Sequence, residues 1–114
     1  MPLFKVELGN WVSYRKLPDL KEVDFHWTGH ESSGSYYENM QSVWNTALWE
    51  LEKAQKENLR YVLFTHGLST SRRGNTTARS QIRKLMRSKE STPFIIRKDC
   101  IQHPSVFVAA IRPK

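Results

Sequence analysis

The sequence predicts an α/β protein: a two-layer sandwich with a βαβαββ core, a mixed four-stranded sheet and an N-terminal extension. Three observations predict it. Apolar runs of strand length, such as Tyr61-Val62-Leu63-Phe64, alternate with segments in which apolar residues recur at spacings of three and four. Two further apolar runs close the chain without a helix between them, and a length of 114 residues suits one core without staples.

The elements follow in order. Phe4, Val6 and Leu8 alternate with Lys5 and Glu7, and Gly9-Asn10 precedes Trp11-Val12-Ser13-Tyr14. That pattern fits either a two-residue hairpin or an irregular arm that packs Trp11 on the body. Pro18 fixes its own φ and biases Leu17 away from helix, so the chain divides into an extension over residues 1–20 and an α/β domain over 21–114. Glu22-Val23-Asp24-Phe25-His26-Trp27 reads as a strand with Val23, Phe25 and Trp27 on one face. A helix then starts after Ser35, with Glu38 three residues on as a capping box. Its apolar stripe runs through Tyr37, Met40, Val43, Trp44, Ala47, Leu48, Leu51 and Ala54.

Arg60 to His66 is a nearly continuous apolar run, expected as a central strand. A second helix starts at Asn75, Thr76 or Thr77 and runs to about Ser88, with Ala78, Ile82, Leu85 and Met86 inward. Phe94-Ile95-Ile96 and Val106 to Ile111 supply the last two strands. Alternation alone admits two or three layers with right-handed crossovers. The loops at His26 to Ser35 and His66 to Asn75 then leave the same edge of the sheet, where open α/β folds bind ligands.

Charge is distributed unevenly. Residues 1–67 carry seven Lys/Arg and nine Asp/Glu, a balance of −2, whereas residues 68–114 carry eleven and two, a balance of +9, which together give the +7 of the chain. One face is therefore expected to meet a polyanion, with nucleic acid, DNA or RNA, as the partner and plain solubility as the bland alternative. Hydrophobic and charged contents of 39% and 25% exclude a disordered chain. The lone Cys100 rules out an intrachain disulfide and a multi-thiolate zinc site. No stretch approaches the ~20 apolar residues of a membrane helix and the N-terminus lacks an apolar signal region, so a cytoplasmic protein without a membrane partner, and a monomer, are expected.

The segment from His66 to Arg87 is the richest in chemistry. Its preferred phosphate contacts are Gly67, Ser69, Ser71, Arg72, Arg73, Gly74, Asn75 and Thr76 in the loop, where hydroxyls, guanidinium groups and free N–H groups at a helix start all donate to anionic oxygens. It lacks the Gly-Lys-Ser/Thr ending of a Walker loop. Arg79, Arg83 and Arg87 lie four apart and form a helical stripe with Lys84 beside it, with no acidic residue between positions 72 and 89. A solvated outer face is the bland alternative, against which the absence of acidic partners in that stretch counts. Asp24 and His26, two apart on a strand, share a face, which suits either phosphodiester chemistry or mutual hydrogen bonding near a strand end. His66 with Gly67 ends the central strand. No histidine pair, His30 and His103 included, has the spacing of a zinc site. Trp49 lies off the helical stripe and either contacts a partner or packs on the N-terminal extension.

Val23-Asp24-Phe25-His26 and Thr65-His66-Gly67, with Gly74 before the second helix, resemble motifs of the small MutS-related (Smr) domain family over roughly residues 20 to 112. In that family a first strand ends in Leu-Asp-Leu-His-Gly and a second in His-Gly-x-Gly. The resemblance implies nucleic-acid binding and a DNA-nicking or RNA-cleaving endonuclease, with Asp24, His26 and His66 as the catalytic set and a divalent metal as an open cofactor. Trp27 replaces the usual glycine of the first motif and Leu68-Ser69 the x-Gly of the second. A non-catalytic nucleic-acid-binding module and a protein-interaction domain using Trp49 are therefore the alternatives.

Overall fold

The computed structural model describes residues 4–24, 36–66 and 78–113, with the side chains of 36–41 and 78 outside that description. Five strands, β1 (Lys5–Val6), β2 (Leu20–Asp24), β3 (Tyr61–Thr65), β4 (Ile101–Gln102) and β5 (Val106–Ala110), form one mixed sheet in the order β1-β4-β5-β3-β2. Two α-helices, α1 (Tyr36–Lys56) and α2 (Ala78–Arg87), and two 3-10 helices, Trp11–Lys16 and Arg97–Asp99, complete the described elements. β2 runs parallel to β3, β5 is antiparallel to both β3 and β4, and β4 is parallel to β1.

β3 and β5 are apolar on both sides, and both sides are covered. Val62 and Phe64 of β3, and Phe107 and Ala109 of β5, pack with Val43, Ala47, Leu51 and Ala54 of α1 and Ile82, Leu85 and Met86 of α2. Leu63, Val106 and Val108 pack instead against Tyr14, with Trp11 and Leu17 alongside. Of the expected helical stripes, Val43, Ala47, Leu51 and Ala54 and then Ile82, Leu85 and Met86 are buried, Trp44 and Leu48 are half-buried, and the side chains of Tyr37, Met40 and Ala78 lie outside the described residues. The expected two-layer, four-stranded arrangement is not what forms: a fifth strand joins the sheet, and the first 3-10 helix covers the face opposite the α-helices. A central strand buried on both faces needs cover on both, and the segment before β2 supplies it.

That segment turns no hairpin at Gly9-Asn10. Asn10 is an N-cap instead, its side-chain oxygen accepting from Val12 N–H at 3.0 Å. β1 joins the edge of the sheet through Lys5 N–H to Cys100 O and Glu7 N–H to Gln102 O. The predicted strand at Phe94–Ile96 is also corrected: Ile95 makes a single antiparallel bridge with Ile111, and the strand proper comes later, at Ile101–Gln102. The interruption has a visible cause. Arg97 turns back to cap the end of α2, donating to Met86 O at 2.9 Å and Ser88 O at 2.6 Å, and residues 97–99 coil into a 3-10 turn before pairing resumes.

Candidate nucleic-acid interface

Because β2 and β3 are parallel neighbours, their carboxyl ends lie at one edge of the sheet, with Asp24 opposite Thr65 in register. β5 is antiparallel to β3 and so begins at that edge. His66 extends the ladder there, its N–H donating to Ser105 O at 3.2 Å. The edge expected to collect both loops is therefore formed by the strands that precede them.

Pairing also separates two members of the predicted catalytic set. Val23 and Phe64, which are register partners, both pack with the α-helices, so Asp24 and Thr65 belong to the face of the first 3-10 helix. His66, one residue further along the pleat, belongs to the α-helical face. It is only 2% exposed, whereas Asp24 is exposed. The structure thus brings Asp24 and His66 to the same edge but onto opposite faces of the sheet.

His103 has a fixed structural task. Its Nδ1 accepts from Ser105 N–H at 3.0 Å, which leaves the ring proton on Nε2 to donate to Gly9 O at 2.6 Å. The ring joins the N-terminal segment to the loop entering β5, with Tyr14 edge-on against it at 6.2 Å between centroids. Both ring nitrogens are occupied, so neither is available to a metal.

The arginine stripe of α2 lies beside this loop. Arg83 reaches His103 O through Nη2 at 3.4 Å, and Arg87 reaches Gln102 Oε1 at 3.5 Å while its guanidinium carbon lies 5.9 Å from the centre of the Phe4 ring. Arg79 and Arg83 are half-buried, and Lys84 and Arg87 are exposed. Among the described residues no carboxylate forms an ion pair with any of these four cations. Burial, with the neighbouring charges of Arg79 and Arg87, pushes the Arg83 guanidinium below its ordinary value. A half-buried cation flanked by like charges is held in a place that favours an incoming anion.

His26, Gly67, Ser69, Ser71, Arg72, Arg73, Gly74, Asn75 and Thr76, together with the Ser35 cap and Trp27, lie outside the described residues. No protein-family model matches the chain, and neither does a curated protein or a solved structure. Among the described residues no group of three or more His, Cys, Asp or Glu could hold a metal ion, and no helix is long and apolar enough to cross a membrane. Trp49 is 56% exposed, and Lys53 Nζ sits 4.8 Å from its ring centre, as expected of a solvent-facing cation–π pair.

Sequence reasoning missed two structural contributors to this region. Arg97 caps the helix that carries the stripe, and Gln102 orients Arg87. A cation ten residues beyond a helix end carries no periodic signal, and neither does a single glutamine in a polar stretch.

Proposed function

We propose that the chain is a divergent Smr-like domain that binds nucleic acid, DNA or RNA, along the basic face of α2 and the sheet edge beside it. The observation that carries this reading is the stripe Arg79, Arg83 and Arg87, unpaired with carboxylates among the described residues, in which burial first and the charges of Arg79 and Arg87 second lower the Arg83 guanidinium. Cations at helical spacing i, i+4 are about 6 Å apart along the axis, close to the phosphate spacing of a nucleic-acid strand, and each neutralised phosphate releases counterions. The loop residues Ser69, Ser71, Arg72, Arg73, Asn75 and Thr76 extend the same surface in this reading.

Binding has firmer support than cleavage. A phosphodiesterase needs its acid, base and scissile phosphate within hydrogen-bond reach of one another, and Asp24 and His66 occupy opposite faces. Catalysis therefore rests on Asp24 with His26, the divalent metal remaining part of that proposal, and a binding module without chemistry is the better supported form. A cytoplasmic location accompanies the proposal, consistent with the single buried cysteine thiol.

Titrating labelled single- and double-stranded DNA and RNA with Arg79→Ala/Arg83→Ala/Arg87→Ala over a range of salt tests the surface. The salt slope should fall by roughly 0.7 to 0.9 for each phosphate that the variant no longer neutralises. An unchanged affinity and slope would remove the surface from consideration. A nuclease assay with and without Mg²⁺ or Mn²⁺, against His26→Ala, tests the catalytic part separately.

A further inference from the structure

Among the described residues, nothing pairs with the outer side of the edge strand β1. Lys5 and Glu7 direct their main-chain groups at β4, through Lys5 N–H to Cys100 O and Glu7 N–H to Gln102 O. By the alternation of a strand, Val6 then directs its N–H and C=O outwards, where nothing among the described residues pairs with them. Val6 and Leu8 are 58% and 77% exposed. The opposite edge, β2, is protected by the charged residues Lys21, Glu22 and Asp24, with Lys21 bound to Glu50 at 3.0 Å and Arg15 to Glu22 at 2.8 Å.

The segment Lys5-Val6-Glu7 is complementary to itself when reversed. We infer that β1 pairs antiparallel with β1 of a second copy, about a two-fold axis through Val6. Val6 N–H and C=O then bond with Val6 C=O and N–H of the other copy, completing the outer groups of the strand. On either side, Lys5 opposes Glu7 of the other copy, and Glu7 opposes Lys5, so both flanking cross-strand pairs join opposite charges. One residue further out, Leu8 opposes Phe4.

Directly opposite residues share a face, so the axis stands perpendicular to the sheet. Phe4 packs with the α-helical cluster and Glu7 accepts from the Tyr14 hydroxyl on the other face, so Val6 and Leu8 project on the α-helical side. The two α2 helices consequently lie on one face of the joined sheet. This inference does not rest on the nucleic-acid reading. The paired segment is short, so the dimer is a weak one that exchanges with monomer.

Sedimentation velocity over a wide range of protein concentration tests it, with circular dichroism to confirm that each variant is folded. The native chain should show a concentration-dependent monomer–dimer equilibrium. Lys5→Glu places like charges opposite each other, and Val6→Pro removes the outward N–H while leaving the bonds to β4; each should weaken association about tenfold or more. Mixing Lys5→Glu with Glu7→Lys restores both charge pairs in a heterodimer, which should form more readily than either variant self-associates. A native chain that stays monomeric at every concentration reached, or a dimer unchanged by Lys5→Glu and Val6→Pro, overturns the inference. Both results are read without nucleic acid, so neither depends on the α2 surface.

Discussion

Cys100 has no exposed surface, between the second 3-10 helix and β4, and its sulfur is engaged in both senses: the thiol donates to Ile96 O at 3.4 Å and accepts from Ala110 N–H at 3.4 Å. Burial pushes the thiol up from 9.0 to about 11, against a smaller opposing effect of the Ala110 bond. The consequence for stability follows from linkage. Below about pH 9 both the folded and the unfolded chain hold the proton, and the contribution is fully present. Between 9.0 and about 11 the unfolded chain releases it first, so stability falls as pH rises, by up to roughly 3 kcal/mol. The Tyr14 hydroxyl, raised from 10.0 by burial and by Glu7, adds its own loss above that value. Urea unfolding from about pH 8 to about pH 11 should therefore show a decline that is shallower in Cys100→Ala. It should be shallower again when Tyr14→Phe is added. A decline of equal steepness in the native chain and the double variant would show that neither group causes it.

At the scale of elements, α1 ends in a fully formed Schellman motif. Leu59 N–H donates to Ala54 O at 2.9 Å and Asn58 N–H to Gln55 O at 3.2 Å, which requires Asn58 to take a left-handed φ of 60°. Glycine occupies that region without a Cβ penalty, and Asn58 is exposed. Asn58→Gly is therefore expected to stabilise the chain by about 0.5 to 1 kcal/mol in denaturant unfolding, and a loss of stability would show that the asparagine side chain has a further task. α1, α2, β3 and β5 were legible in the sequence because each carries its own periodicity: Val43, Ala47, Leu51 and Ala54 repeat at helical spacing, and Val106 to Ala110 are apolar throughout. β4 was not, because Ile101–Gln102 is too short for a pattern and is a strand only by lying between β1 and β5. Phe94–Ile96 was the more apolar run, yet Arg97 is drawn to the end of α2 and stops the pairing after one bridge. The same division runs through the candidate site. The arginine stripe is a local property of one helix, whereas the separation of Asp24 from His66 depends on the register of β2 with β3 and on which layer covers each face.

Over the whole molecule, the positive charge of residues 68–114 includes a stripe on α2 that lies where it costs stability. Arg83 is half-buried, its hydrogen bond to His103 O is long at 3.4 Å, and Arg79 and Arg87 stand on either side of it at i, i+4 spacing. Like charges so placed destabilise a helix by about 0.2 to 0.5 kcal/mol per pair, and burial adds to that. If the stripe exists to bind a polyanion, one substitution should move stability and binding in opposite directions. Arg83→Met keeps the aliphatic stem, removes the charge, and should raise unfolding stability by about 0.5 kcal/mol. It should also lower nucleic-acid affinity several-fold and reduce the salt slope by the equivalent of roughly one neutralised phosphate. Ligand linkage offers a second measurement on the same variant, since a polyanion that binds only the folded chain raises its melting temperature. That rise should be smaller for Arg83→Met than for the native chain at the same ligand concentration. A variant that is less stable and binds unchanged would make Arg83 a structural tie to the loop entering β5, and the stripe would lose its functional meaning.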